Sequence, residues 1–146
     1  MAGSPALGIF RDDEAVLEQA VRRALETADL VVMSGGTSKG AGDVSHRIID
    51  RLGPPGVLAH GVALKPGKPL CLAAVGRKPL VVLPGFPTSA VFTFHEFVVP
   101  VIRALAGLPP RAETTLEASL AIRTPSELGR TEYVMVSSRK SRTARA

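Results

Sequence analysis

The segment SGGTSKGAGD, residues 34–43, sets four glycines among hydroxyl side chains, one lysine and one aspartate. A turn of this composition bares backbone N–H groups, and where it opens a helix those groups lie at the positive end of the helix dipole. The ligand that suits such a place is a phosphate. Gly35, Gly36, Gly40 and Gly42 let the backbone approach an anion, Ser34, Thr37 and Ser38 add hydroxyl donors, and Lys39 adds charge. Asp43 repels an anion unless it caps the helix or holds a cation such as Mg²⁺ that bridges to phosphate. The competing reading of the same residues is a purely structural turn.

Two further segments carry the same chemistry. HGVALKPGKP, residues 60–69, puts Lys65 and Lys68 on either side of a Pro-Gly turn at a strand end. Ligands of open α/β sheets bind outside the carboxyl ends of the strands, so two ammonium groups there can meet a polyanion, although two solvated turn lysines are the plainer alternative. Pro84-Gly85-Phe86-Pro87-Thr88-Ser89 is again a strand end, a rigid turn and a helix start, with Thr88 or Ser89 expected to cap the helix. Three loops of one geometry can define one pocket for a phosphorylated ligand. His46 and His95 lack a second ligand at metal spacing, His60 reads as a strand-edge residue, and no Ser or Cys pairs with a base. The chemistry to expect is positioning and electrostatics.

These loops need a sheet to hold them. Leu7 to Phe10 reads as a short strand, and Asp12 and Asp13 as caps of an amphipathic helix carrying Val16, Leu17, Ala20, Val21, Ala24 and Leu25 on one face. Leu30 to Met33 is an apolar run expected to be a strand buried on both faces, which completes a βαβ unit. A second helix through Val44, Ile48, Ile49 and Leu52 stops at Gly53-Pro54-Pro55. Val57 to Leu64, Leu70 to Val75 and Leu80 to Leu83 read as three more strands, with Gly76-Arg77-Lys78 as a hairpin tip. Val91 to Leu105 predicts a helix kinked near Val99 by Pro100. Beyond Pro109-Pro110, Leu116, Ala118, Leu120 and Ile122 alternate with Thr115, Glu117, Ser119 and Ala121, which predicts a half-buried strand paired with Glu132 to Val136.

The expected architecture is α/β, a doubly wound sheet over residues 1–108 with a small β subdomain over 109–137 and a basic disordered tail, 138–146. At 146 residues and 45% hydrophobic the chain can bury a core, and five Phe, one Tyr and no Trp imply aliphatic packing. The lone Cys71 sits in an apolar run and reads as a core residue of a reducing, cytoplasmic setting. No stretch approaches the ~18 to 20 uninterrupted apolar residues of a membrane span. The net charge of +5 owes much to Arg139, Lys140, Arg142 and Arg145 in the tail, so nucleic acid and membrane are not expected partners.

SGGTSKGAGD, HGVALKPGKP, LPGFPTSAVFTFHEFVVPVIRALAG and SELGRTEYVMV, in this order, resemble the molybdopterin molybdotransferases, the MoeA and gephyrin E-domain family. KPGKP tilts the likeness away from the related adenylyltransferases of the MogA and MoaB type. The resemblance implies a MoaB/Mog-like domain, incomplete at its N-terminus for want of an opening strand and helix, followed by the start of a β domain. It implies Mg²⁺-dependent insertion of molybdate into adenylylated molybdopterin with release of AMP, in a homodimer or with a complementing chain. Ser34, Gly35, Gly36, Thr37, Ser38, Gly40, Gly85, Pro87, Thr88 and Ser89 would bind phosphate and pterin. Asp43, Lys65 and Lys68 would be catalytic, with Asp43 at the metal, and Arg130 would approach from the β domain. Phe86 stands where the family usually has Asn, and Lys39 where it has a small apolar residue. A molybdopterin adenylyltransferase and a noncatalytic molybdopterin-binding module are the alternatives.

Overall fold

Asp13 ends an extended segment, and its carboxylate accepts hydrogen bonds from the N–H groups of Ala15 (2.9 Å) and Val16 (3.1 Å), so the first helix, α1, begins at Glu14 and runs Glu14–Thr27. The computed structural model describes residues 3–10, 13–35 and 42–137, with the side chains of Gly42 and Asp43 excepted. After α1 come β1 (Val31–Ser34), α2 (Gly42–Leu52), β2 (Pro55–His60), β3 (Leu64–Lys65), β4 (Cys71–Val75) and β5 (Lys78–Leu83). A continuous helical rod follows, made of α3 (Pro87–Thr93), a π turn (Phe94–Val98) and α4 (Val99–Leu105), and then β6 (Thr131–Glu132).

Four strands form one mixed sheet in the order β1-β5-β4-β2, with β1 parallel to β5 and the β5/β4 and β4/β2 pairs antiparallel. β5 is the middle of the molecule because its side chains are buried on both faces. Leu80 and Val82 join Val21, Ala24, Val31, Ile49, Cys71 and Ala73 in a core under α1 and α2. Val81 and Leu83 join Leu70 and Val98 in a second core under the helical rod, with Phe94 and Phe97 packed against it. Helices therefore cover both faces, as a doubly wound sheet requires. Cys71 is a core residue as expected, and burial, reinforced by Asp50, raises its thiol pKa above the ordinary value.

α1 and α2 are also joined by charge. Glu14 pairs with Arg47 and, at 2.5 Å, with Arg51, while Glu18 accepts from Arg22 (2.8 Å) and Arg51 (3.3 Å). The polar face of α1 is thus cross-linked to the next helix. At the far end of the sheet Lys78 donates to the Leu25 carbonyl, so it fastens the last turn of α1 to β5 rather than remaining a solvated hairpin residue.

The rod answers the expected kink with a defined defect. Pro100 has no N–H and its ring excludes the carbonyl four residues back, and the chain widens into the π turn, with the Val99 N–H donating to the Phe94 carbonyl. From Pro87 to Leu105 the rod is 19 residues with a mean hydropathy of 1.2, long and apolar enough by these measures to cross a membrane. His95, Glu96 and Arg103 interrupt it, and Val98 seats one face on the sheet.

Several sequence expectations are corrected. Leu7 to Phe10 is not a strand: its side chains are exposed, and it flanks a cavity of about 560 Å³ walled on the other side by α1 and Val31 to Gly35. β1 is buried only at Val31, with Val32 exposed, because no strand lies beyond it among the described residues. The expected strand from Val57 to Leu64 is two strands, β2 and β3, parted at Gly61, whose φ of +83° leaves the extended region. Leu116 to Ile122 forms no strand, since the alternation finds no sheet to bury against and Leu116, Leu120 and Ile122 stay exposed. Glu132 to Val136 shrinks to β6, which pairs parallel with β3 instead. The tail, 138–146, and Asp12 lie outside the described residues.

Two measurements check this account. A Cβ on Gly67, at φ +131°, would lie 2.4 Å from Cγ2 of the buried Thr93. Gly67→Ala is expected to cost roughly 1 to 3 kcal/mol in denaturant unfolding. Adding Thr93→Ser, which deletes that methyl group, restores part of the loss. The carboxyl pKa of Glu14 is lowered below 4.5 chiefly by Arg51 and then Arg47, and that of Glu18 chiefly by Arg22. Stability from these pairs is full above the unfolded pKa and declines as pH falls through the lower folded value. The unfolding midpoint should therefore drop below about pH 4.5, less steeply in a Glu14→Gln, Glu18→Gln variant.

Candidate functional site

The strand directions decide where the three loops go. β1 and β5 run parallel with Ser34 opposite Leu83, while Cys71 at the start of β4 lies opposite both Val82 and His60, the end of β2. The carboxyl ends of β1, β2 and β5 therefore share one edge of the sheet, and the loops after them emerge together. The Gly76-Arg77 hairpin is at the opposite edge.

At this edge the glycine loop and the proline loop touch. The Gly35 N–H donates to the Leu83 carbonyl at 3.2 Å, and a Cβ on Gly85 would sit 3.5 Å from the Gly35 Cα. Gly35 itself has a φ of +96°, which turns the chain out of β1 at a cost only glycine avoids. Ser34 and Gly35 are placed; Gly36, Thr37, Ser38, Lys39 and Gly40 lie outside the described residues, as does the side chain of Asp43. Pro87 takes the first position of α3 after Phe86, whose side chain is exposed. Neither Thr88 nor Ser89 caps the helix, a correction to the sequence reading: no side-chain cap is made, and Ser89 is buried with its carbonyl accepting from the Thr93 hydroxyl at 2.8 Å.

The lysine loop folds on itself and against α3. The Gly61 N–H donates to the Leu70 carbonyl (2.8 Å) and the Val62 N–H to that of Lys68 (2.9 Å), while Gly67 packs on Thr93. Thr93 is six residues after Pro87, about 9 Å along the helix at ~1.5 Å per residue. The lysine loop and the Gly35/Gly85 contact thus lie along one helix, spaced for an elongated ligand.

The structure splits the two lysines. Lys68 is exposed, and among the described residues no side-chain hydrogen bond or ion pair is seen for it. Lys65 reaches Glu127 at 3.1 Å and Glu132 at 3.3 Å, and these two carboxylates raise its pKa, Glu127 foremost. Glu127 in turn is held below the usual carboxylate range chiefly by Lys65. The backbone fixes this meeting: β3 and β6 pair with Lys65 opposite Glu132, the Thr131 N–H donates to Ala63 (2.9 Å), and the Tyr133 N–H donates to Lys65 (2.8 Å). The Tyr133 ring stacks on Phe92 with centroids 5.5 Å apart, and the nearby Glu96 carboxylate raises the phenol pKa. Arg130, expected near the site, ties to Glu127 at 3.3 Å.

Glu127 and Glu132 are the residues that sequence reasoning missed. They are 62 and 67 positions from Lys65 and belong to a segment read only as a turn and a strand. His60, at the end of β2, faces the His46 ring with centroids 5.5 Å apart, and His46 bonds Asp50 at 3.2 Å. Among the described residues no group of three or more His, Cys, Asp or Glu could hold a metal ion.

Residues 4–104 match the family described as "Probable molybdopterin binding domain". The chain belongs to that family. It is 38% identical over 104 residues to a molybdopterin molybdenumtransferase of Nostoc sp., an alignment covering 69% of this chain and 24% of that protein. It is 39% identical over 101 residues to the molybdopterin molybdenumtransferase of Haemophilus influenzae, again covering 69% of this chain and 24% of the relative. Among solved structures it is similar to a molybdopterin biosynthesis MoeA protein from Pyrococcus horikosii, with a TM-score of 0.58 and 37% identity over 66% of this chain and 23% of that one. The domain thus spans about a quarter of the length of these relatives.

The ties between the sheet and the C-terminal segment can be tested. Lys65→Ala is expected to speed hydrogen exchange at the Thr131 and Tyr133 amides, because β6 loses the ion pairs that hold it to β3. Lys68→Ala should leave those amides unchanged.

Proposed function

We propose that this domain acts in molybdenum cofactor biosynthesis as the molybdotransferase part that holds adenylylated molybdopterin while molybdate is inserted and AMP is released. The observation that carries the reading is the convergence of the glycine, lysine and proline loops on one carboxyl edge of the sheet. Polyanions bind where backbone amides and ammonium groups face the same space. The spacing along α3 suits a ligand with a phosphate-bearing nucleotide end and a separate pterin end.

In this reading Ser34, Gly35, Gly36, Thr37, Ser38 and Gly40 cradle phosphate, and Gly85, Pro87, Thr88 and Ser89 line the adjoining wall. Lys68, exposed at the edge, supplies unbalanced positive charge, with Lys65 beside it. Asp43, in the first turn of α2, is the residue proposed to hold Mg²⁺ against phosphate. The open side of β1, with the cavity of about 560 Å³ beside it, supports the view that a second copy or a complementing chain completes the domain. The setting proposed is the cytoplasm.

The test is a reconstitution. Purified chain, a full-length relative inactivated at its own lysine loop, molybdate, Mg²⁺ and adenylylated molybdopterin are combined and AMP is quantified. AMP release is expected with the wild type and should fall at least tenfold with the Lys65→Ala, Lys68→Ala variant, since two charges near the phosphate are worth above 1.4 kcal/mol together. Equal release from wild type and variant would overturn the proposal. Formation of adenylylated product from ATP and molybdopterin would indicate the adenylyltransferase alternative, and tight cofactor binding without AMP release the noncatalytic module.

A further inference from the structure

Resting on the reading of this edge as an anion site, we propose that Glu127 is an internal competitor for it: its carboxylate occupies the Lys65 ammonium in the free protein and is displaced by the phosphate of an arriving polyanion. The displacement loosens the segment that Glu127 anchors.

The geometry distinguishes the two carboxylates at Lys65. The Glu132 side chain is only 16% exposed and its second oxygen is buried with no hydrogen-bond partner, so it depends on Lys65 and stays with it. The Glu127 side chain is 56% exposed, and that of Lys65 is 44% exposed, so a ligand can reach between them. An ion pair this open to water is worth about 1 kcal/mol or less, well within what a multiply charged phosphate can replace. When Glu127 leaves Lys65 it is not orphaned, because Arg130 already holds its other oxygen at 3.3 Å. Lys68 lies three residues on, beyond the Pro-Gly turn, and makes no ion pair among the described residues. It offers the first contact, after which transfer of a second phosphate to Lys65 is an intramolecular step.

What Glu127 anchors is a long exposed stretch. Residues 109–127 carry no regular structure, and their apolar side chains are exposed. Among the described residues, Glu127 to Tyr133 fastens this end of the chain to the lysine loop, through the β3/β6 pair and the ion pairs. Coupling must run both ways: if the carboxylate weakens anion binding, a bound anion weakens the carboxylate's hold.

The experiment titrates inorganic pyrophosphate calorimetrically into the full chain at constant ionic strength, using wild type, Glu127→Gln, Lys65→Ala, Lys68→Ala and the Glu127→Gln, Lys65→Ala pair. Hydrogen exchange of the Thr131 and Tyr133 amides, which donate to the lysine loop, is followed with and without pyrophosphate, and circular dichroism verifies that each variant is folded. Glu127→Gln is expected to tighten pyrophosphate about threefold to fivefold, the range an exposed ion pair allows. The gain should vanish in the Lys65→Ala background, and pyrophosphate should speed exchange of the Thr131 and Tyr133 amides in the wild type but not in Glu127→Gln. A gain that persists without Lys65 would show a mere change of local field and overturn the proposal, as would weaker binding in Glu127→Gln. Pyrophosphate binding that ignores Lys68→Ala defeats the anion-edge reading itself, separately from the role of Glu127.

Discussion

The burial of β5 on both faces is the constraint from which the rest of the molecule follows. A strand covered by two cores must satisfy its backbone groups within the sheet, so it pairs with β1 on one side and β4 on the other. Once those pairings are made, the directions of β1, β2 and β5 are set, and three loops from distant parts of the chain leave from one edge. The site is a consequence of how the centre of the sheet is hydrogen-bonded.

The helical rod beyond β5 serves the same edge by a different means. It must both cover one face of the sheet and carry the proline loop at its start, yet Pro100 forbids a regular helix through Glu96. The π turn absorbs that conflict two to six residues before the proline, leaving α3 regular where Gly67 and Thr93 meet. Backbone and side chain there approach so closely that only glycine fits, and this holds the lysine loop in place.

Charge is distributed with similar economy. Across α1 and α2, Glu14 and Glu18 are matched by Arg22, Arg47 and Arg51, so these charges join structure to structure. At the lysine loop the two ammonium groups differ: Lys65 is matched by Glu127 and Glu132, whereas Lys68 has no such match among the described residues. Identical residue types three positions apart in one loop have been given different work by what a remote segment brings to one of them.

The sequence by itself determined the elements whose signal is local. The cap at Asp13, the amphipathic face of α1, the turn out of β1 at Gly35, the hairpin at Gly76-Arg77 and a helix disturbed near Val99 are all legible because each depends on neighbours within a turn or two of chain. The tertiary structure alone decided what depends on partners. Leu7 to Phe10 is apolar and Leu116 to Ile122 alternates as strands do, but an extended segment becomes a strand only where another edge accepts its hydrogen bonds, and none does among the described residues. The same physics assigned Lys65 to two glutamates more than 60 residues away. A single residue's chemistry is written in its side chain, but which charge it meets is settled only when β3 and β6 pair.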